Sequence, residues 1–272
     1  MKKCIVYFIV VIFLYGCEKE FAPDLSSEVN KKVVINALFT DEANENEVEI
    51  RWSVRQPNDV PSPINEAQVI LSSIDEVIIF KLDSLKPGIY RAKMNLKSNQ
   101  EYTLTVSVEG QVFSARAELA EGKAFNPPTF SFSNDEKLYY LDKVAIPFDP
   151  SSPAIYQITA DWSEVSGYTQ LPSEQTHAVI YFFSLSTLDV SQLLPPASEK
   201  IGFPAGTIMD VKRFALTQSH AEYWRQVLLE TSWAGGLFAT EPANIISNFS
   251  NDALGWFGLC GTTQLSVIVG EK

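Results

Sequence analysis

The residues with the clearest chemistry stand near the N-terminus, where Leu14-Tyr15-Gly16-Cys17 closes an uninterrupted apolar stretch that starts at Ile5. A small residue at Gly16 lets a peptidase reach the bond before Cys17. The Cys17 thiol is the one group there that accepts a diacylglyceryl thioether. Lys2 and Lys3 supply a positive region ahead of the apolar stretch, and this order is that of an export signal. Only 14 positions run from Cys4 to Cys17, short of the roughly 20 that a membrane-spanning helix needs. Residues 1–16 are therefore expected to be a signal peptide, with cleavage before Cys17 and palmitate-type chains on that cysteine as the hold on a membrane. Each buried methylene contributes about 0.8 kcal/mol, so two or three such chains anchor a protein stably.

Other chemistry-bearing residues are sparse. His177 and His220 are far apart, and neither belongs to an HxxxH or HExxH pattern of a zinc site. An exposed or capping-turn position is expected for His220. No GxSxG elbow is present, and Cys260 lies in the apolar run Trp256-Phe257-Gly258-Leu259-Cys260 without a basic neighbour, which suits a buried small hydrophobe. No glycine-rich loop matches a phosphate cradle or dinucleotide fingerprint. Asp41, Glu42, Glu45 and Glu47 could gather calcium, but they lack the alternation and central glycine of an EF-hand loop. A solvated hairpin tip is the expectation. Trp162, Tyr168, Trp233 and Trp256 could stack on sugar rings or fill a core; Trp233, beside Gly235-Gly236, is the most loop-like. No cofactor, metal or catalytic residue is expected.

These residues must be positioned by strands. Between Lys32 and Leu119 the chain alternates β-branched runs with turn residues: VVINALF, VEIRWSV, AQVILSS, VIIFKL, GIYRAKM, YTLTVSV and QVFSARAEL. Lys86-Pro87-Gly88 presets a tight bend, and Glu109-Gly110 is a hairpin signal. The fold class is thus mainly β. Residues 17–31 form a lipidated tether and 32–120 an immunoglobulin-like β-sandwich without its disulfide. Residues 121–272 form a second β-rich domain, the boundary falling near Asn126-Pro127-Pro128. Its candidate strands are 143–148, 155–162, 178–185, 208–216 and 265–269, separated by long loops at 163–176 and 186–207. It has one helix near 219–232, opened by a capping box from Ser219 to Glu222. The segment from Asn244 to Gly261 joins turn formers to a compact apolar group. It is expected either to close the second sandwich or to form a partner-contact loop carrying Trp256 and Phe257, with Trp233 nearby.

The formal charge is −12, and loss of residues 1–16 removes two lysines and no acid, giving −14. Such acidity argues against nucleic acid and against a peripheral grip on anionic lipid. With Cys17 acylated, Cys260 has no partner for an intramolecular disulfide in the mature chain, so stability must come from packing.

Several stretches together resemble one family, the Bacteroidota outer-membrane lipoproteins grouped as domain of unknown function 4249. They are Cys17 to Phe21 (CEKEF), Val33 to Thr40 (VVINALFT), Pro87 to Tyr90 (PGIY), Tyr102 to Val106 (YTLTV) with Gly110, Leu216 to Tyr223 (LTQSHAEY), Glu241 to Asn248 (EPANIISN) and Leu254 to Gly258 (LGWFG). The resemblance covers nearly everything after Cys17. One departure stands out: the family usually has an extra glycine, and an Ile before Phe, where this chain has Asp252-Ala253 and Trp256. Glu18-Lys19-Glu20 loosely resembles the charged signal that sends such lipoproteins to the cell surface. Asp83-Ser84-Leu85 resembles the short Bacteroidota O-glycosylation sequence, with Ser84 as acceptor. The resemblance implies a lipid-anchored outer-membrane protein, often encoded beside TonB-dependent receptors, and supplies no catalytic residues. The expectation is a non-enzymatic binding or accessory subunit of a TonB-dependent nutrient transporter, with a carbohydrate or peptide as candidate ligand. The alternatives are a carbohydrate-active or other hydrolytic enzyme using loop carboxylates, and a structural envelope lipoprotein.

Overall fold

Alternation between Lys32 and Leu119 becomes strand wherever one side of each run can be buried. The computed structural model describes residues 31–271, apart from 43–44, 55, 57, 99, 143–148, 188–199 and 234–244. Cys17, the signal stretch, the tether up to residue 30 and the strand expected over 143–148 lie outside the described residues. All seven strands expected in the first half form: β1 (Val33–Thr40), β2 (Glu45–Trp52), β3 (Gln68–Ser72), β4 (Val77–Leu82), β5 (Ile89–Lys93), β6 (Glu101–Val108) and β7 (Gln111–Ala120). In β6 the pleat buries Tyr102, Leu104, Val106 and Val108 and leaves the residues between them outside. Glu109 and Gly110, at φ 49° and 81°, make the hairpin turn in which both central residues are left-handed.

The second half supplies β8 (Phe130–Ser133), β9 (Leu138–Leu141), β10 (Ala154–Asp161), β11 (His177–Ser184), β12 (Ile208–Ala215), the helix α1 (Gln218–Glu230), β13 (Leu254–Cys260) and β14 (Thr262–Ile268). Strands β10, β11, β12 and β14 match expectation to within a few residues. The helix starts slightly earlier than its expected cap: Thr217 is the N-cap, and its hydroxyl accepts from the His220 amide at 3.3 Å.

The main departure is β13. Residues 254–260, assigned from sequence to the second domain, lie in the first sheet, parallel to both β1 and β7. The order there is β1-β13-β7-β6-β3-β4-β5-β2, closing from β2 back to β1. Two strands change partners along their length. β4 pairs with β3 over Val77–Phe80 and then with β5 at Lys81 and Leu82. β7 pairs with β6 up to Glu118 and then with β13 at Leu119 and Ala120. The result is a sandwich-like body joined at both margins, with Phe39 packed between Phe80 and Phe257 at ring separations of 5.5 and 5.4 Å.

The second sheet, in the order β11-β10-β12-β14, is antiparallel throughout. Its inner face (Tyr156, Ile158, Met209, Val211) packs on Phe130 and Tyr139 of the β8–β9 hairpin and on Phe203. One end of its outer face, Ile155, Phe183 and Phe214, is covered by Leu228 of α1 and by Trp233. Only Gly261 separates β13 from β14, and its amide donates to Ala120 O at 2.7 Å. One short connection thus ties the sheets, and 32–272 form one compact unit.

Candidate functional site

Among the described residues, the outer face of the second sheet is open beyond the helix-covered end, and the strand registers line its polar side chains into rows. Gln157, Lys212 and Gln264 form one row, and Thr159, Asp210 and Ser266 the next. Strand β11 adds Tyr181 beside Gln157 and Val179 beside Thr159, 53% and 52% exposed. The two rows floor a cleft of about 570 Å³, within the usual span for small-ligand sites. Lys212 Nζ lies 2.8 Å from Glu42 Oε2, and Asp41 Oδ1 accepts from the Thr262 amide and hydroxyl at 2.8 Å each, so the β1–β2 turn borders the cleft. Asp210 accepts a hydrogen bond from the Ser266 hydroxyl. Among the described residues, the side-chain amides of Gln157 and Gln264 and the hydroxyl of Thr159 remain open for other partners.

At the far end of this face, His177 Nε2 sits 3.2 Å from Asp161 Oδ2, while Nδ1 is 3.1 Å from Thr176 Oγ1 and 3.2 Å from Ser173 O. Hydrogen bonds from Ser163, backbone first, hold the Asp161 carboxyl below the usual range. A His–Asp pair can activate a nucleophile. The hydroxyl beside it, on Thr176, is buried and donates to Pro172 O, so substrate cannot reach it.

The second meeting of chemistry-bearing residues lies beneath α1. His220 is buried, against the sequence expectation, because the first turn of the helix faces β13 rather than solvent. Its Nε2 accepts from the Trp224 indole at 3.1 Å, which leaves the ring hydrogen on Nδ1, 3.9 Å from Cys260 Sγ. Burial drives His220 down to about 4. Burial, helped by the Asp41 carboxylate, pushes Cys260 up to about 12. A nucleophilic Cys–His pair needs a thiolate beside an imidazolium. Here both groups are neutral and enclosed, and the pair packs rather than reacts. Cys260 is the buried small hydrophobe that its neighbours suggest.

The three residues expected to meet a partner are also inside. Trp256 is 8% exposed, stacked on Tyr223 at 4.9 Å and on His220 at 5.9 Å. Phe257 points the opposite way, into the barrel, as the pleat of a strand requires. Trp233, 5% exposed, meets Phe183 edge-on. The 254–260 stretch is therefore a core strand, not a contact loop, and the Asn248 side chain pairs with both backbone groups of Phe257 at 2.8 and 2.9 Å. Ser84 is exposed in the β4–β5 turn, where Asp83 accepts from the Leu85 amide at 2.8 Å. The acidic residues considered for calcium disperse: Asp41 and Glu42 engage the second sheet, and Glu45 and Glu47 engage Arg91. Among the described residues, no group of three or more His, Cys, Asp or Glu could hold a metal ion, and no helix is long and apolar enough to cross a membrane.

The polar rows were missed from sequence although each strand announces its alternation, because only the register shows that residues 157, 212 and 264 are neighbours. Comparison with known proteins gives a family match: the model described as Domain of unknown function (DUF4249) matches residues 18–266. No protein of curated function matches. Among solved structures, a two fibronectin type-III domain segment from chicken tenascin is similar at 11% identity, over 68% of this chain and 91% of that one, with a TM-score of 0.19.

Proposed function

The chain belongs to the family described as Domain of unknown function (DUF4249), and on that premise we propose that it is a non-enzymatic binding or accessory subunit of a TonB-dependent nutrient transporter, held at the outer membrane, on the cell surface, by lipid on Cys17. The observation that carries the binding role is the cleft across the second sheet, where two registered rows of polar side chains face solvent beside an exposed tyrosine. The anchor rests on the order Lys2-Lys3, apolar stretch, Leu14 to Cys17. The transporter partnership rests on the family resemblance and on an acidic surface unsuited to nucleic acid.

A hydrolase would need two carboxyls placed across a cleft, one of them a general acid with a raised pKa. The two carboxylates at this cleft are engaged by Ser266 and Lys212, and Asp75, Asp149 and Asp161 all titrate below the usual value. Two measurements test the proposal. Affinity purification of the tagged protein from native membranes should recover a TonB-dependent receptor; recovery of general envelope proteins alone would favour the structural reading. Cys17→Ala should abolish palmitate labelling and release the protein from the membrane fraction, and persistent labelling of that variant would sink the anchor.

A further inference from the structure

We infer that the cleft across the second sheet binds a neutral carbohydrate strand, with one sugar ring laid on Tyr181 and hydroxyls of successive rings read by Gln157, Thr159 and Gln264. This rests on the binding role proposed above and names its ligand class.

The chemistry of the floor selects the ligand. Each sugar hydroxyl is both donor and acceptor, and glutamine amides and a threonine hydroxyl answer in both senses. Gln157 and Thr159 stand on β10 and Gln264 on β14, with β12 between them. At about 4.8 Å per strand spacing, the row meets hydroxyls of successive rings along a carbohydrate strand rather than neighbours on one ring. Lys212 is neutralised by Glu42, and Asp210, engaged by Ser266, leaves a net negative charge that accepts hydroxyls and repels acidic polymers. Tyr181, in register with Gln157 and half exposed, offers an aromatic face at the margin of the same row. The C–H face of a sugar ring is apolar enough to lie against it. A peptide is less well served. β10 and β12 are interior strands with both edges bonded, so the centre of the floor offers no free ladder for an added strand. Across β10, β12 and β14 the two rows are polar, and apolar Val179 stands only at the β11 margin.

The test uses the full lipidated protein in detergent on an array of neutral and acidic oligosaccharides and unstructured peptides, followed by calorimetry with the best neutral glycan. Tyr181→Ala should weaken binding about tenfold, the size expected for loss of one stacked aromatic, and Gln157→Ala should weaken it further. Both positions are exposed or half-buried, and unchanged melting of the variants shows that the loss is local. No neutral glycan bound, selective capture of acidic glycans or peptides, or full affinity in Tyr181→Ala would each overturn the inference. Absence of glycan binding with a transporter still recovered from membranes would remove the carbohydrate and leave the accessory role. Glycan binding without a transporter would do the reverse.

Discussion

His220 is held neutral inside the protein, and that has a measurable cost in acid. Its unfolded value is near 6.5 and its folded value about 4. Above pH 6.5 neither state is protonated, and the fold keeps its full stability. As pH falls towards 4 the unfolded chain takes up a proton that the folded chain refuses, so stability should drop by about 1.4 kcal/mol per pH unit. Asp75, Asp149 and Asp161 begin to lose their stabilising effect near pH 5, as the unfolded carboxyls approach their value of 3.8, so the slope is read between 6.5 and 5 and the share of His220 is the difference from a His220 variant. Urea melts across that window should show the slope in the wild type and a flatter one in His220→Gln; equal slopes would refute the buried neutral ring. Trp256 gives a second residue-scale expectation. Replacing it with Ala should cost about 3–5 kcal/mol as a core truncation. Its indole N–H is buried without a hydrogen-bond partner among the described residues, so Trp256→Phe removes an unsatisfied donor and should cost less than half as much. Equal losses in chemical denaturation would show that the indole nitrogen matters. The sequence carried the identity of these residues but not their burial. For His220 the first helical turn reads as solvent-facing until β13 is known to lie beneath it.

Strand β13 owes its place to two glycines. A Cβ on Gly255, at φ 101°, would stand 2.0 Å from Ile35 O of the neighbouring strand. One on Gly258 would stand 2.4 Å from His220 Cε1. That ring cannot swing aside, since Trp224 binds its Nε2 and Trp256 stacks on it. Gly258→Ala should therefore cost about 1–3 kcal/mol by overpacking. The loss should shrink when His220→Ala is added, because the two changes share one contact. Additive losses in thermal melts would mean that the glycine serves some other neighbour. These glycines also explain why the element was hard to read. β1 to β7 alternate inside and outside, and that pattern located all seven. β13 is covered on both faces, so its sequence LGWFGLC is a continuous apolar run in which glycine reads as turn rather than close approach. β8 and β9 escaped for a different reason: each has four residues, none of β9 is fully buried, and so little alternation shows.

At the scale of the whole molecule, the first sheet cannot be completed by its own stretch of chain. β1 and β7 both leave a bonding edge to a strand that lies more than 130 residues downstream of β7 in the sequence, and seven residues of β13 pair with seven of β1. Local alternation recovered β1 to β7, β10 to β12 and β14 but not this closure. Register between distant segments is set by which edges remain unpaired after local folding, and no local pattern reports it. The polar cleft was illegible for the same reason, since its rows draw on three strands separated by loops. A fragment of residues 32–120 should therefore fail to fold as an independent sandwich. Without the C-terminal stretch its core lacks Phe249, Phe257 and Leu259, all buried in the intact chain. Removal of even one such side chain costs about 2–5 kcal/mol, against a typical domain stability of about 5–15 kcal/mol. The exposed edges of β1 and β7 would also invite aggregation. The fragment should give poorly dispersed amide spectra and no cooperative melt. A synthetic peptide covering Ser247 to Gly261, added during refolding, should restore both by filling the gap between β1 and β7. A fragment that melts cooperatively by itself, or a peptide that leaves its spectrum unchanged, would mean that β13 rests against a sheet already complete without it.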